Sequence, residues 1–152
     1  MIAVIQRVKS AAVAVDGETV GACEKGLYVL LGVAKGDTPR DAEVLAEKTV
    51  GLRIFSDEND KMNLSVLDVE GQMLVVSNFT LLASYKKGKR PDYMMAAAPD
   101  EAKALYEYFC GLCEKQVSHV GQGVFGAHME IAQVSDGPVT IVMDSKVLLN
   151  KQ

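Results

Sequence analysis

The chain has no tryptophan, two histidines, three cysteines and four prolines in 152 residues. An odd number of cysteines excludes a self-contained disulfide framework, the usual support of a small secreted domain. Cys110 and Cys113 form a lone C-x-x-C late in a helical pattern. That is not the strand-to-helix entry, where a helix N-terminus would lower a thiol pKa. With no second cysteine pair and only His119 and His128 to add, zinc ligands are too few, and no metal is expected. A thiol enzyme built on the two cysteines stays open as an alternative. No apolar run reaches the roughly 18 residues of a membrane span, and residues 1–7 lack the basic and apolar segments of a secretory signal. Sixteen Lys and Arg against 20 Asp and Glu leave a net charge of −4. No global field therefore draws the chain to nucleic acid, and RNA contact must rest on a local patch. The expectation is a cytoplasmic protein with no cofactor and neither membrane nor DNA as a partner.

What is present is enough for one core. At 49% hydrophobic content, with no linker, repeat or low-complexity tract, residues 1–152 are expected to form a single domain. Residues 2–8 and 12–15 read as strands, and Asp16-Gly17 as a hairpin turn into Thr19-Val20. Residues 26–33 are almost continuously apolar, as in a strand buried on both faces. Thr38, Pro39 and Asp41 announce a helix start, followed by a stripe of Ala42, Leu45, Ala46, Thr49 and Val50. Residues 56–60 are a polar connection, and Glu70-Gly71 is a turn before the next strand. A second helix is predicted from Pro99 to about Gln116, with Ala102, Leu105, Tyr106, Phe109, Leu112 and Cys113 facing the core. Strands over 124–135 and 139–143 complete the pattern.

Two segments carry the chemical interest. Ser135-Asp136-Gly137-Pro138-Val139-Thr140-Ile141 sets a turn signal between two β-like runs. Pro138 cannot donate to a ladder, and its preceding bond has access to cis. Gly137 leaves two consecutive carbonyls unobstructed by a Cβ, a main-chain acceptor fit for an ammonium group. The other segment, Val75-Val76-Ser77-Asn78-Phe79-Thr80-Leu81-Leu82, reads as a strand carrying three hydrogen-bonding side chains. Alternation sends Ser77 and Phe79 to one face and Asn78 and Thr80 to the other. Between them lies Tyr85-Lys86-Lys87-Gly88-Lys89-Arg90-Pro91, either a solvated loop or a phosphate-binding patch.

Together these segments resemble the D-aminoacyl-tRNA deacylase family, and the likeness runs through nearly the whole chain. Met1-Ile2-Ala3-Val4-Ile5-Gln6-Arg7-Val8, Gly26-Leu27-Tyr28-Val29-Leu30-Leu31-Gly32-Val33, and Leu52-Arg53-Ile54-Phe55 with Lys61-Met62-Asn63-Leu64-Ser65 are similar to family segments. Ser77-Asn78-Phe79-Thr80-Leu81 matches the first active-site motif and Asp136-Gly137-Pro138-Val139-Thr140 the second, the Gly-cis-Pro motif. Asn78 stands where the family usually has Gln, and Ser135 where Asn is common.

The resemblance implies an α/β fold: a single compact domain of curved, β-barrel-like sheets with two main packed helices, assembled as a homodimer with a cross-subunit site. It implies hydrolysis of the ester of D-aminoacyl-tRNA, and of mischarged glycyl-tRNA, with the L-ester rejected at Gly137 and Pro138 and Arg7 bracing their carbonyls. Ser77, Asn78, Phe79 and Thr80 would do the chemistry. Phe125 and Met129 would enclose the terminal adenosine, and Lys86, Lys87, Lys89 and Arg90 would meet tRNA phosphates. A Thr hydroxyl is a weak nucleophile without a base, and none lies close in sequence. The preferred reading is therefore an oxyanion hole of the Phe79 and Thr80 N–H groups with Thr80 as organiser; Thr80 as nucleophile is the alternative. His128, expected in a strand with no Ser or Cys beside it, is read as a rim residue. A non-catalytic module binding RNA through residues 86–90 is the rival of another class.

Overall fold

The computed structural model describes residues 1–150. In chain order the elements are β1 (Ile2–Val15), β2 (Glu18–Cys23), β3 (Gly26–Gly32), α1 (Pro39–Gly51), β4 (Phe55–Ser56), β5 (Met62–Leu64), β6 (Gln72–Ser77), a 3₁₀ turn (Phe79–Leu82), α2 (Pro99–Glu114), β7 (Val120–Gln122), β8 (Glu130–Asp144) and α3 (Ser145–Leu149). One sheet runs β2-β1-β3-β6-β7, with β8 also paired to β1; β4 and β5 form a small ribbon. Asp16 and Gly17, both with positive φ, make the predicted hairpin between β1 and β2. The β3–β6 pair is parallel, so the chain crosses over between them through α1, as a parallel pair requires.

The sheet curls until its ends nearly meet. A Cβ at Gly21 would collide with the Gln122 carbonyl, and one at Gly121 would meet the Ala22 carbonyl at 2.6 Å. Only glycine lets the β2 and β7 backbones approach this closely. His119 Nε2 lies 2.7 Å from the Ala22 carbonyl oxygen at the same seam.

Curling gives the sheet two buried faces. Leu27, Val29 and Leu31 of β3, with Met73 and Val75 of β6, pack against Leu45 of α1 and Phe109 of α2. The alternate residues Tyr28, Leu74 and Val76 join Val8, Val13 and Cys23 in a second cluster inside the curl. This explains the uninterrupted apolar run of β3, whose two sides each find a core. Each fully buried Leu or Phe contributes about 2–3 kcal/mol of transfer free energy.

The helices start as the sequence indicates. Pro39 opens α1, and the Asp41 carboxylate accepts the Thr38 N–H at 2.9 Å. Asp41 is itself buried and takes hydrogen bonds from Ser145 Oγ (2.6 Å) and Lys146 Nζ (2.8 Å), tying α3 and the end of β8 to α1. Burial alone would raise its pKa, but the bonds from Lys146, Ser145 and Thr38 outweigh that and hold the carboxyl well below the usual range. The short helix α3 was not predicted; Asp144 caps it by accepting the Lys146 N–H at 2.9 Å.

Three strand assignments differ from expectation. β1 is continuous through 9–11 because it has a partner along its whole length: β3, then β2, on one side and β8 on the other. Residues 124–129 form a turn, with Gly126 at φ +80°, and β8 begins only at Glu130. The Asp-Gly-Pro segment is not a hairpin, since β8 passes straight through it. No described helix is long and apolar enough to cross a membrane.

Candidate functional site

Strand β6 delivers the 77–80 segment to the end of the sheet. The last rung is the Asn78 N–H, which donates to the Leu31 carbonyl at 2.8 Å. Alternation then fails, because the chain turns into the 3₁₀ segment with Asn78 as its cap. Asn78 Oδ1 accepts both the Thr80 N–H, at 3.2 Å, and the Thr80 hydroxyl. A short amide side chain bonding the backbone two residues on is a common turn device, and Gln, one methylene longer, fits it less well. Asn78 and Thr80 therefore act as one unit instead of sharing a strand face. The turn lies over Gly32, where a Cβ would meet Leu82 Cδ2 at 2.6 Å and the Asn78 carbonyl oxygen at 3.0 Å.

The arrangement sets what each group can do. An amide oxygen is a good acceptor but no base, so the hydroxyl proton of Thr80 is held, not removed. The Thr80 N–H is likewise engaged. The Phe79 N–H, at the first position of the turn, has no hydrogen-bond partner among the described residues.

Ser77, Asn78, Phe79 and Thr80 line a cavity of about 880 Å³, and Phe125, His128 and Met129 line it from the opposite side. Its walls are largely apolar, as in a site that encloses an organic ligand. Phe79 is 56% exposed and meets Tyr93 edge-on, ring centroids 5.0 Å apart. Phe125 leans on Tyr106, whose hydroxyl donates to the Val75 carbonyl at 2.7 Å and so pins α2 to β6. A Cβ at Gly123 would stand 2.6 Å from the Met129 sulfur, so glycine there makes room for Met129. His128 is exposed on the turn, at the rim.

Sequence reasoning missed Lys35, the one Lys or Arg of the lining, and the small floor of Ala96, Ala97 and Ala98 before Pro99. The alanine run was the available signal. Lys35 had none, since its place follows from the Lys35 N–H bonding the distant Met95 carbonyl at 2.9 Å.

The second motif lies elsewhere. Register along β1 and β8 passes from Gln6·Thr140 to Val8·Ser135, so residues 136–139 bulge opposite Arg7 alone. The Gly137–Pro138 bond is cis. Arg7 does brace the bulge, but one residue before the carbonyls expected: its Nε donates to the Asp136 carbonyl at 2.9 Å, and Nη1 to the Ile54 carbonyl at 2.7 Å. Gly137 and Pro138 are exposed and do not line the cavity of their own chain. A Cβ at Gly137 would collide with the Val139 amide nitrogen, so this glycine is needed by the backbone itself. Lys86, Lys87, Lys89 and Arg90 are exposed, outside the lining, and form no ion pair among the described residues.

The cysteines are no site. Cys23, Cys110 and Cys113 are buried and free. Burial pushes the Cys23 thiol up to about 11 and those of Cys110 and Cys113 to about 12, far from thiolate chemistry at neutral pH. Among the described residues no three His, Cys, Asp or Glu side chains converge to hold a metal.

Comparison with known proteins agrees with this geometry. Residues 4–144 match the family model described as D-Tyr-tRNA(Tyr) deacylase. The D-aminoacyl-tRNA deacylase of Thermosipho africanus is 56% identical over 96% of this chain and 98% of its own. That of Caldicellulosiruptor saccharolyticus is 54% identical over the same shares. Among solved structures, a c-Myc DNA unwinding element binding protein superposes with TM-score 0.89 at 38% identity, over 95% of this chain and 98% of its own. A probable eukaryotic D-amino acid tRNA deacylase gives TM-score 0.82 over 94% and 98% of the two chains, at an identity of 17% that speaks for the fold alone. With the family model spanning nearly the whole chain and relatives above half identity, the chain belongs to the D-Tyr-tRNA(Tyr) deacylase family.

Proposed function

We propose that the chain hydrolyses the ester of D-aminoacyl-tRNA, and of mischarged glycyl-tRNA, releasing free tRNA and the amino acid. The observation that carries this reading, in a member of this family, is the 77–80 turn in the cavity wall with the Phe79 N–H unpartnered. A water oxygen attacks the ester carbonyl carbon. The carbonyl oxygen takes up negative charge at the Phe79 N–H, a preorganised donor. The bond to the ribose oxygen then breaks, and the proton shed by water ends on that oxygen. Thr80, its own proton held by Asn78, offers lone pairs that orient the water or the substrate ammonium. This supports the organiser role over the nucleophile, and it narrows the oxyanion hole from two N–H groups to one.

Rejection of the L-ester belongs on this reading to Gly137 and Pro138. Their exposure, away from the cavity of their own chain, supports a homodimer in which each bulge enters the partner's site. Residues 86–90 meet tRNA phosphates, and the enzyme works in the cytoplasm, where charged tRNA is used. The test is deacylation of matched D- and L-aminoacyl-tRNA by the purified protein. Turnover of the D-ester alone is expected. No turnover of either, with tRNA binding retained, would leave a non-catalytic RNA-binding module.

A further inference from the structure

The cavity rim continues into a segment that buries little of its own apolar surface. Tyr85 is 84% exposed, Met94 71% and Met95 57%, beside the exposed ring of Phe79 and a partly exposed Tyr93. Single exposed apolar residues need no explanation, but such a cluster on one segment marks a contact surface.

The segment is also held in shape. Ser84 and Asp92 exchange backbone hydrogen bonds of 2.8 and 2.9 Å, closing a loop over 85–91 whose Gly88 has φ +65°. Tyr85 is the first residue beyond that closure. Tyr93, immediately behind it, touches Phe79 in the cavity wall, so loop and cavity share one rim.

Charge selects the partner. Residues 84–98 hold four cations and one carboxylate, Asp92, in a chain of net charge −4. Asp92 Oδ1 accepts the Met94 N–H at 3.3 Å, so this carboxylate serves its own backbone and pairs with no cation. An exposed aromatic ring among unpaired cations matches unpaired nucleotides: the ring stacks a base, and the cations meet phosphates on either side.

We infer that Tyr85 and the loop over 85–91 form a stacking platform for the unpaired nucleotides that precede the terminal adenosine. The inference rests on the proposed substrate, because a terminal nucleotide seated in the cavity sends its preceding nucleotides across this rim. Tyr85 binds RNA here and takes no part in ester chemistry.

Affinity for a stem-loop RNA with an unpaired CCA tail, and for the same stem cut blunt, tests this with wild type, Tyr85→Ala and Tyr85→Phe. Tyr85→Ala should bind the tailed RNA about tenfold more weakly, Tyr85→Phe like wild type, and the blunt stem should not distinguish them. Hydrolysis of a D-aminoacyl-adenosine, which lacks the preceding nucleotides, should be unchanged by Tyr85→Ala. Equal loss on tailed and blunt RNA would reduce the ring to a structural role. A changed oligomeric state in Tyr85→Ala would assign it to a protein contact. Either result overturns the inference. The two readings also fail separately: wild type inert on the adenosine ester defeats the deacylase reading, whereas unaltered binding of tailed RNA by Tyr85→Ala defeats this one.

Discussion

Replacing Thr80 with alanine removes one hydroxyl and leaves its backbone N–H in place. The structure fixes what that hydroxyl does: it donates to Asn78 Oδ1, which also holds the Thr80 N–H. With the hydroxyl gone, Asn78 keeps the N–H bond and still caps the turn, so the Phe79 N–H should stay aimed into the cavity. The loss is then one hydrogen bond to water or substrate, about 1 kcal/mol. In a rate that is about fivefold. A nucleophile would behave otherwise, since losing the attacking atom of a hydrolase costs on the order of 10⁶-fold. Two such different magnitudes need no fine measurement. Single-turnover deacylation of D-aminoacyl-tRNA under enzyme excess reads the chemical step, and acid quenching followed by mass spectrometry looks for an acyl ester on Thr80. Retention of a tenth or more of the wild-type rate is expected. A loss beyond about 10³-fold, together with a trapped acyl-Thr80, would refute the organiser role.

Other consequences can be measured independently. Alanine at Lys86, Lys87, Lys89 and Arg90 should reduce the slope of log affinity against log salt by about 3, with D/L discrimination untouched; an unchanged slope means the patch is merely solvated. Gly32→Ala should cost about 1–3 kcal/mol by overpacking and lower kcat/KM, since the new methyl presses on Leu82 and the Asn78 carbonyl; urea melts and kinetics read both, and wild-type kinetics would show that the turn is not positioned by this contact. Asp41 binds its proton more weakly folded than unfolded, so its stabilisation is complete above the unfolded value near about pH 4 and is lost as pH falls through the lower folded value. Asp41→Asn should therefore cost about 3 kcal/mol at neutral pH, with the gap to wild type closing in urea melts below about pH 4; a gap independent of pH would place its origin elsewhere.

What could be read from the sequence was set by how local its cause is. Thr38, Pro39 and Asp41 start α1 through contacts within one turn, and the stripe ending at Val50 needs only helical periodicity. The β3 run was legible because burial on both faces leaves no polar residue to interrupt it. The 77–82 segment misled because Asn, Ser and Thr fit a strand end and a cap equally well, and only the packing over Gly32 decides. The Asp-Gly-Pro segment misled for a longer-range reason: β1 runs unbroken alongside it, so a signal that would close a hairpin becomes a bulge opposite Arg7. Motif likeness grouped Ser77, Asn78, Phe79, Thr80, Phe125 and Met129, and the fold does bring those six to one cavity. Lys35 and Tyr93 join them by contacts no spacing rule contains.

The separation of the two motifs constrains any mechanism that uses both. Groups that hold an ester carbonyl and groups that judge the neighbouring α-carbon must stand within a few bond lengths of each other. In one chain they do not, because the 136–139 bulge faces outward while the 77–80 turn lines the cavity. Flexing the bulge inward is opposed by its bracing: Arg7 ties the Asp136 carbonyl to the Ile54 carbonyl, and Gly137 has no room to reshape. A rigid outward bulge serves a cavity only if that cavity belongs to another molecule. The same strand β8 exposes Val134 and Val142 on either side of the bulge, and Ile131 at the cavity edge. Apolar residues flanking a fixed protrusion are what a second copy would cover, and a C2 pairing would then complete two sites at once. On the proposed reading, the stiffness of the bulge and the exposure of β8 thus have one cause: the chain is shaped to complete its partner's site.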